Sequence, residues 1–377
     1  MDRFDLAVVG AGILGLAAAL AGARRGLRVV VVDRDARANG ASVRNFGFVT
    51  VTGQERGVMW QRARRSCEIW REVTAAAGIP VIHTGMWMLV RRAESLRVLE
   101  QFMATEMSGG CRLFEASEAR TRCPQLRAPQ LQAVFESRIE LRVESREAIP
   151  RLAAWLAEAH GVTFLRQTTV RGIDLPRVQT SRGTLVADYV AVCAGDDFTG
   201  LYAERFGAYA LTRCKLQMLR LADPGFRLPA TWMSDLSLAR YHGFAELPAA
   251  AALKGRLLIE QPAQIDHGVH LIVVQNADGS LVVGDSHHYA ATPDPFSRQH
   301  IDALILEEFR AALGIEAPPV LERWVGTYAS AADRQVLIDA PEALVRIATV
   351  TSGSGASTGF AIGEELIASL LEAREAA

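Results

Sequence analysis

The opening of the chain constrains its fold more than any other segment. Gly10-Ala11-Gly12-Ile13-Leu14-Gly15 stands between an apolar run and a stretch of alanines and leucines. Residues 5–10 read as a short strand and residues 11–25 as a buried helix. Residues 28–32 read as an interior parallel strand, a run of valines that ends at Asp33. Strand, glycine turn, helix, strand and acid make one complete β-α-β unit. Gly10 admits the tight turn, Gly12 lets a pyrophosphate approach the backbone, and Gly15 lets helix and strand pack closely. The helix start, at Ile13 and Leu14, offers free N–H groups and a positive dipole end to phosphates. Asp33, followed by Arg34, sits where a carboxylate accepts hydrogen bonds from ribose hydroxyls and repels a 2′-phosphate. The segment therefore predicts dinucleotide binding, with NADP disfavoured; a bare glycine turn would leave the terminal acid without a purpose.

Residues 6–23 carry no charge, yet three glycines interrupt them and acids precede them, so no membrane span is expected. The 377 residues, half of them hydrophobic, suffice for two domains or one large one. A net charge of −1 without blocks of like charge predicts no nucleic-acid partner. Lysine occurs only at Lys215 and Lys254. The five cysteines form no C-x-x-C pair and no His/Cys cluster, so neither a disulfide framework nor a metal site is expected, and a reducing cytoplasm fits.

Further along, residues 55–77 have helical spacing and stop at Gly78 and Pro80. Residues 145–160 read as a helix capped by Ser145, followed by strands at 162–167 and 184–193. After Thr212 the texture becomes antiparallel, with alternating segments at 215–221, 256–261, 270–275 and 280–284 and a hairpin turn at 276–279. Residues 297–313 form a helix, and 351–371 a glycine-rich loop that becomes helical.

The segment Gly40-Ala41-Ser42-Val43-Arg44-Asn45-Phe46-Gly47-Phe48 resembles the loop that wraps the flavin in the D-amino-acid oxidase, glycine oxidase and sarcosine oxidase superfamily. Thr168-Thr169-Val170, Val192-Cys193-Ala194-Gly195 and the terminal glycine loop at 352–363 are similar to further flavin segments of that family. The resemblance implies FAD. It places Ser42, Asn45, Phe46, Gly47, Val170, Ala194, Gly195, Gly353, Ser354, Gly355, Ala356, Ser357 and Thr358 beside the cofactor. Sarcosine oxidases attach the flavin through a cysteine near the C-terminal region; none follows Cys214 here, so the FAD is expected to be non-covalent. The implied fold class is α/β, with a discontinuous Rossmann-type FAD-binding domain (1–80, 145–212 and 323–377). An α+β substrate domain with an antiparallel sheet (81–144 and 213–322) completes it. The implied reaction is oxidation of a C–N bond in a small amine, with oxygen or another electron acceptor reoxidising the flavin.

Family members that act on amino acids hold the substrate carboxylate with arginine. Tyr328 occupies one such position, and residues 354–358 lack the second, so an ordinary α-amino acid fits poorly. Gly284-Asp285-Ser286-His287-His288-Tyr289, with the Asn-Phe-Gly-Phe loop, resembles oxidoreductases associated with bacterial phosphonate breakdown. That resemblance implies 2-aminoethylphosphonate or its N-methyl form as substrate. Tyr328, His287 and Lys215 are the candidate catalytic residues, Lys215 as a charge that aids oxygen chemistry. His242, His288, Arg334 and Gln217 are candidates for binding substrate. His287 and His288 adjoin, so in a strand only one can face the flavin. The alternatives are an amino-acid oxidase of glycine or sarcosine type, an NAD-dependent dehydrogenase, and a non-catalytic flavoprotein.

Overall fold

A computed structural model describes residues 2–375 and contains two sheets. In the eight-stranded sheet, Arg3–Val9 runs parallel to Gly183–Val192 on one side and to Val29–Val32 on the other. Thr163–Leu165 extends it beyond Val29–Val32, and Val345–Val350 lies parallel to Gly183–Val192. Val336–Glu342 closes one edge in the antiparallel sense. The four consecutive valines are all buried because both faces are covered. Leu6, Val8 and Val31 pack under the helices Ile13–Arg24 and Gly355–Glu375, whereas Ala7, Val30 and Val32 face a second apolar layer with Val190, Val192 and Ile347. The two helices meet backbone to backbone: a Cβ at Gly363 would fall 2.6 Å from the Ala17 carbonyl carbon.

The ten-stranded sheet pairs Val81–Val90 with Ala133–Val143, and Thr231–Ser234 runs parallel to the former. Ile272–Gln275, Leu281–Gly284 and Thr212–Leu221 follow in antiparallel order, and Val320–Ser330 lies along the other side of Thr212–Leu221. A break in this ladder shapes the site. Met218 pairs with Gly284, but the next paired residues are Lys215 and His288. Three residues, 285–287, thus oppose two, which is a bulge that re-aims its side chains. The Gln217 N–H that loses its ladder partner donates instead to Ser286 Oγ at 3.2 Å. The bulge is pinned from the other side, where His270 and Asp285 exchange backbone hydrogen bonds of 3.3 and 3.0 Å.

Two local expectations are corrected. Residues 256–261 are not a strand: 256–260 belong to the helix Ala250–Glu260 and Gln261 is its C-cap. Its alanine-rich start favours helix, and Leu253 and Leu257, four apart, are the positions it buries, while Leu258 and Ile259 stay exposed. Ser145 does not cap the helix Ser145–His160, whose N-cap is Glu144; the Ser145 hydroxyl donates to Asn45 Oδ1 at 2.7 Å. The hairpin turn at 276–279 is present, closed by Asn276 N–H to the Ser280 carbonyl at 2.8 Å. Among the described residues no helix is long and apolar enough to cross a membrane.

Candidate active site

A cavity of about 780 Å³ runs from the glycine turn to the antiparallel sheet. At one end lie Gly10, Gly12, Ile13, Leu14, Asp33 and Arg34. Gly10 has φ +100°, a conformation that L side chains avoid, and a Cβ there would sit 2.4 Å from the Cys193 carbonyl oxygen. A Cβ at Gly15 would fall 1.9 Å from the Gly10 carbonyl oxygen, so Gly15 acts behind the lining, in helix–strand packing. Asp33 accepts from the Ala11 N–H at 2.6 Å and from the Asp35 N–H at 2.8 Å, which sets the turn against the acid. Its carboxylate retains lone pairs for further donors.

The loop at 40–48 closes over the helix start. Ser42 Oγ accepts the Ile13 N–H at 2.9 Å. Asn45 shapes the loop by donating to the Ala41 carbonyl and accepting from the Gly47 N–H, both at 2.7 Å. Phe46 lines the cavity, while Gly47 and Thr358 stand behind it. Val170, Ala194, Gly195 and residues 353–357 complete the lining at this end. A bridge between Ser330 and Ser352 ties the terminal loop to the strand that carries Tyr328. A Cβ at Gly353 would lie 2.9 Å from Tyr328 Cζ, so the phenol ring sits directly over that glycine.

The far end is polar, with His270, Asp285 and His287 buried, Arg240, Tyr241 and Tyr328 half-buried and Tyr289 exposed. Arg240, Tyr241, His270, Asp285, His287, Tyr289 and Tyr328 all line it. Arg240 donates to the Tyr289 hydroxyl at 2.8 Å. Burial opposes the guanidinium's charge, but the phenols of Tyr289 and Tyr328 and the Asp285 carboxylate outweigh it and hold Arg240 protonated. Asp285 is pushed up to about 7 by burial, against the pull of Arg240. Burial, reinforced by Arg240, drives His270 and His287 well below the ordinary imidazole range, so both rings are neutral near pH 7. The two rings stack with centroids 5.2 Å apart. The nitrogen and oxygen atoms of His270, Asp285 and His287 lie within 4.8 Å of one another. The adjacent Arg240 charge opposes a divalent cation there, and Asp285 and His287 present themselves as hydrogen-bond acceptors.

Several sequence candidates lie elsewhere. Lys215 and Gln217 alternate with Leu216 along their strand; Leu216 lines the cavity, so the other two point away from it. Lys215 is buried, with Nζ 2.9 Å from the Asp294 carboxylate and 3.1 and 2.9 Å from the carbonyls of Asp294 and Phe296. Gln217 donates to Asp302 and to the Arg298 carbonyl under the helix Gln299–Leu313. His288 also points away and meets His267 at 3.0 Å. His287 is the member of the adjoining pair that faces the cavity. His242 reaches the cavity from an exposed position beside Glu246, at 2.9 Å. Arg334 lines it too, paired with Asp333 at 2.6 Å and lying over the Tyr209 ring. Arg240, His270, Asp285 and Tyr289 were not singled out from sequence, because only the bulge and the cross-sheet register bring them together.

The family model for FAD dependent oxidoreductase (DAO) matches residues 5–369. The chain belongs to this family. FAD is accordingly its cofactor, and the glycine turn, Asp33, the 40–48 loop and the terminal glycine loop line the cavity that could hold it. Monomeric sarcosine oxidase from Bacillus sp. (strain B-0618) is 29% identical over 202 residues, covering 51% of this chain and 51% of that protein. The match thus spans about half the length of that relative. Among solved structures, glycine oxidase from Bacillus cereus ATCC 14579 superposes with TM-score 0.78 at 18% identity, covering 98% of this chain and 95% of that one. FAD-bound L-alpha-glycerophosphate oxidase from Mycoplasma pneumoniae gives TM-score 0.79 at 14% identity, covering 98% and 95%. At these identities the likeness shows the shared fold.

Proposed function

We propose that this protein oxidises the C–N bond of a small primary or N-methylated amine that also carries an anionic group, with 2-aminoethylphosphonate or its N-methyl derivative as the substrate. The observation that carries the reading is Arg240. Its one side-chain hydrogen bond among the described residues is to the Tyr289 hydroxyl, and its charge stands in a cavity wall beside acceptors suited to an amine. A phosphonate bound to that guanidinium would gain charge-assisted hydrogen bonds. It would also take the place of the carboxylate that family arginines hold and that Tyr328 cannot. Bound FAD supplies the hydride acceptor; the chain's own residues bind the anion, orient the amine and exclude water.

On this reading residues 1–80, 145–212 and 323–377 hold FAD, and residues 81–144 and 213–322 supply the anion and amine contacts. On the same reading the FAD is non-covalent, since no cysteine follows Cys214, and a reducing cytoplasm suits the absence of any C-x-x-C pair. Cys193 is the one cysteine in the cavity wall, and burial pushes its thiol up to about 12, far from a reactive thiolate.

The test is turnover on a matched series: aminoalkylphosphonates, their N-methyl forms, glycine and sarcosine, with aldehyde and peroxide measured separately. Preference for the phosphonates supports the reading. Preference for glycine or sarcosine supports the amino-acid oxidase alternative, which the likeness to sarcosine oxidase favours.

A further inference from the structure

An ammonium nitrogen has no lone pair, so the adjacent carbon cannot give up a hydride to form a C=N bond until a proton leaves. An aliphatic amine with a pKa of about 10 is almost wholly protonated at neutral pH. We propose that Asp285, flanked by His270 and His287 at the far end of the cavity, takes this proton from the bound substrate and so acts as its general base. The inference rests on the reading that the substrate is an amine. In the step, one N–H bond of the ammonium breaks and an O–H bond forms on the Asp285 carboxylate. A neutral amine with a lone pair and a neutral carboxylic acid remain, and no electron changes hands.

The geometry leaves one carboxylate oxygen, Asp285 Oδ2, an acceptor without a donor among the described residues. Asp285 is 4% exposed, and its Oδ1 meets His270 Nε2 at 3.2 Å. His287 Nδ1 lies 2.9 Å from the Gly268 carbonyl, which can only accept, so Nδ1 carries the hydrogen and Nε2 is a bare lone pair. That lone pair faces Asp285 Oδ2 at 3.7 Å, whereas His270 Nδ1 lies 3.2 Å from the Ser237 hydroxyl, which can donate to it and leave the Nε2–H to point at Oδ1. Two acceptors facing each other call for a donor between them, and a substrate ammonium provides one. The side chain is not spent on structure: the backbone of Asp285, through its exchange with His270, is what pins the bulge.

The surrounding charges single out Asp285. Arg240 stays protonated. Burial keeps both imidazoles neutral and pushes Tyr241, Tyr289, Tyr328 and Cys214 upward, so none of them ionises near neutrality. Asp285, at about 7, changes charge there, where a general base works best.

The test is anaerobic reduction of the bound flavin followed across pH, with two substrates whose ammonium groups differ in acidity. The second-order rate constant should rise through about 7 with both amines and fall only above each amine's own pKa. In Asp285→Asn it should drop about 10²- to 10⁴-fold at neutral pH, and its rise should move up to the amine's pKa. FAD content and melting temperature establish that the variant is folded; if it is not, the two-amine comparison on the native protein decides alone. A rise that tracks each amine's pKa in the native protein, or an unchanged profile in Asp285→Asn, overturns the proposal. Flavin that no amine bleaches at any pH overturns the amine reading as well.

Discussion

Replacing Arg240 with Met removes the guanidinium and keeps most of the stem's bulk. Arg240 is half-buried, donates to Tyr289 at 2.8 Å and is held charged. A hydrogen bond to a charged group in such a place is worth about 1.5–3 kcal/mol, which corresponds to about a 10- to 150-fold loss in kcat/KM. The loss should fall on amines that carry an anion and spare a neutral amine of the same length, because the neutral one never used the charge. A second effect follows from the same residue. Arg240 lowers Asp285, so without it the Asp285 carboxyl moves further up and the pH–rate profile shifts to higher pH. Steady-state kinetics on an anionic and a neutral amine, each across pH, read both effects. Equal losses for the two amines would refute the assignment of Arg240 as the anion holder.

Gly15→Ala should lower FAD content and melting temperature together, by about 1–3 kcal/mol or more of stability, because its Cβ would fall 1.9 Å from the Gly10 carbonyl oxygen; full FAD loading would contradict this. Lys215→Met should loosen the segment around Asp294 and Phe296, seen as faster proteolysis there, yet leave reoxidation of reduced flavin by oxygen unchanged; slowed reoxidation would place its charge in the chemistry after all. Asp285 also sets a stability trend. Its folded-state pKa of about 7 lies above the unfolded value, so its contribution is complete below the unfolded pKa and is lost as pH rises through about 7. That loss amounts to up to about 4 kcal/mol, and Asp285→Asn should therefore gain stability relative to the native protein between about pH 4 and pH 8, checked by chemical denaturation; a constant difference would count against it. Acid precipitation should leave the yellow colour in the supernatant, whereas flavin retained in the pellet would show a covalent link.

The cofactor end of the site was legible because its requirements are local. Gly10, Gly15 and Asp33 lie within one β-α-β unit, and each is fixed by the geometry of its own turn. The loop at 40–48 was legible by resemblance. The substrate end was not, since it depends on which residues a ladder brings side by side. Lys215 and Leu216 adjoin in sequence and face opposite ways, and the register that decides between them is set by pairing with 288 and with 326–327. Asp285 and His287 reach the cavity through a bulge that no hydropathy pattern marks. Residues 256–261 misled for another reason: Leu257, Leu258 and Ile259 look like strand material, but only Leu257 is buried, as helical spacing from Leu253 requires.

The most direct test of the account is to add 2-aminoethylphosphonate, and separately its N-methyl form, to the purified FAD-loaded protein without oxygen and follow the visible flavin band. The band should bleach, and one equivalent of aldehyde should appear per flavin reduced. A flavin that stays oxidised with both compounds while glycine or sarcosine bleaches it would contradict the assigned substrate, and one that no amine bleaches would contradict C–N oxidation itself.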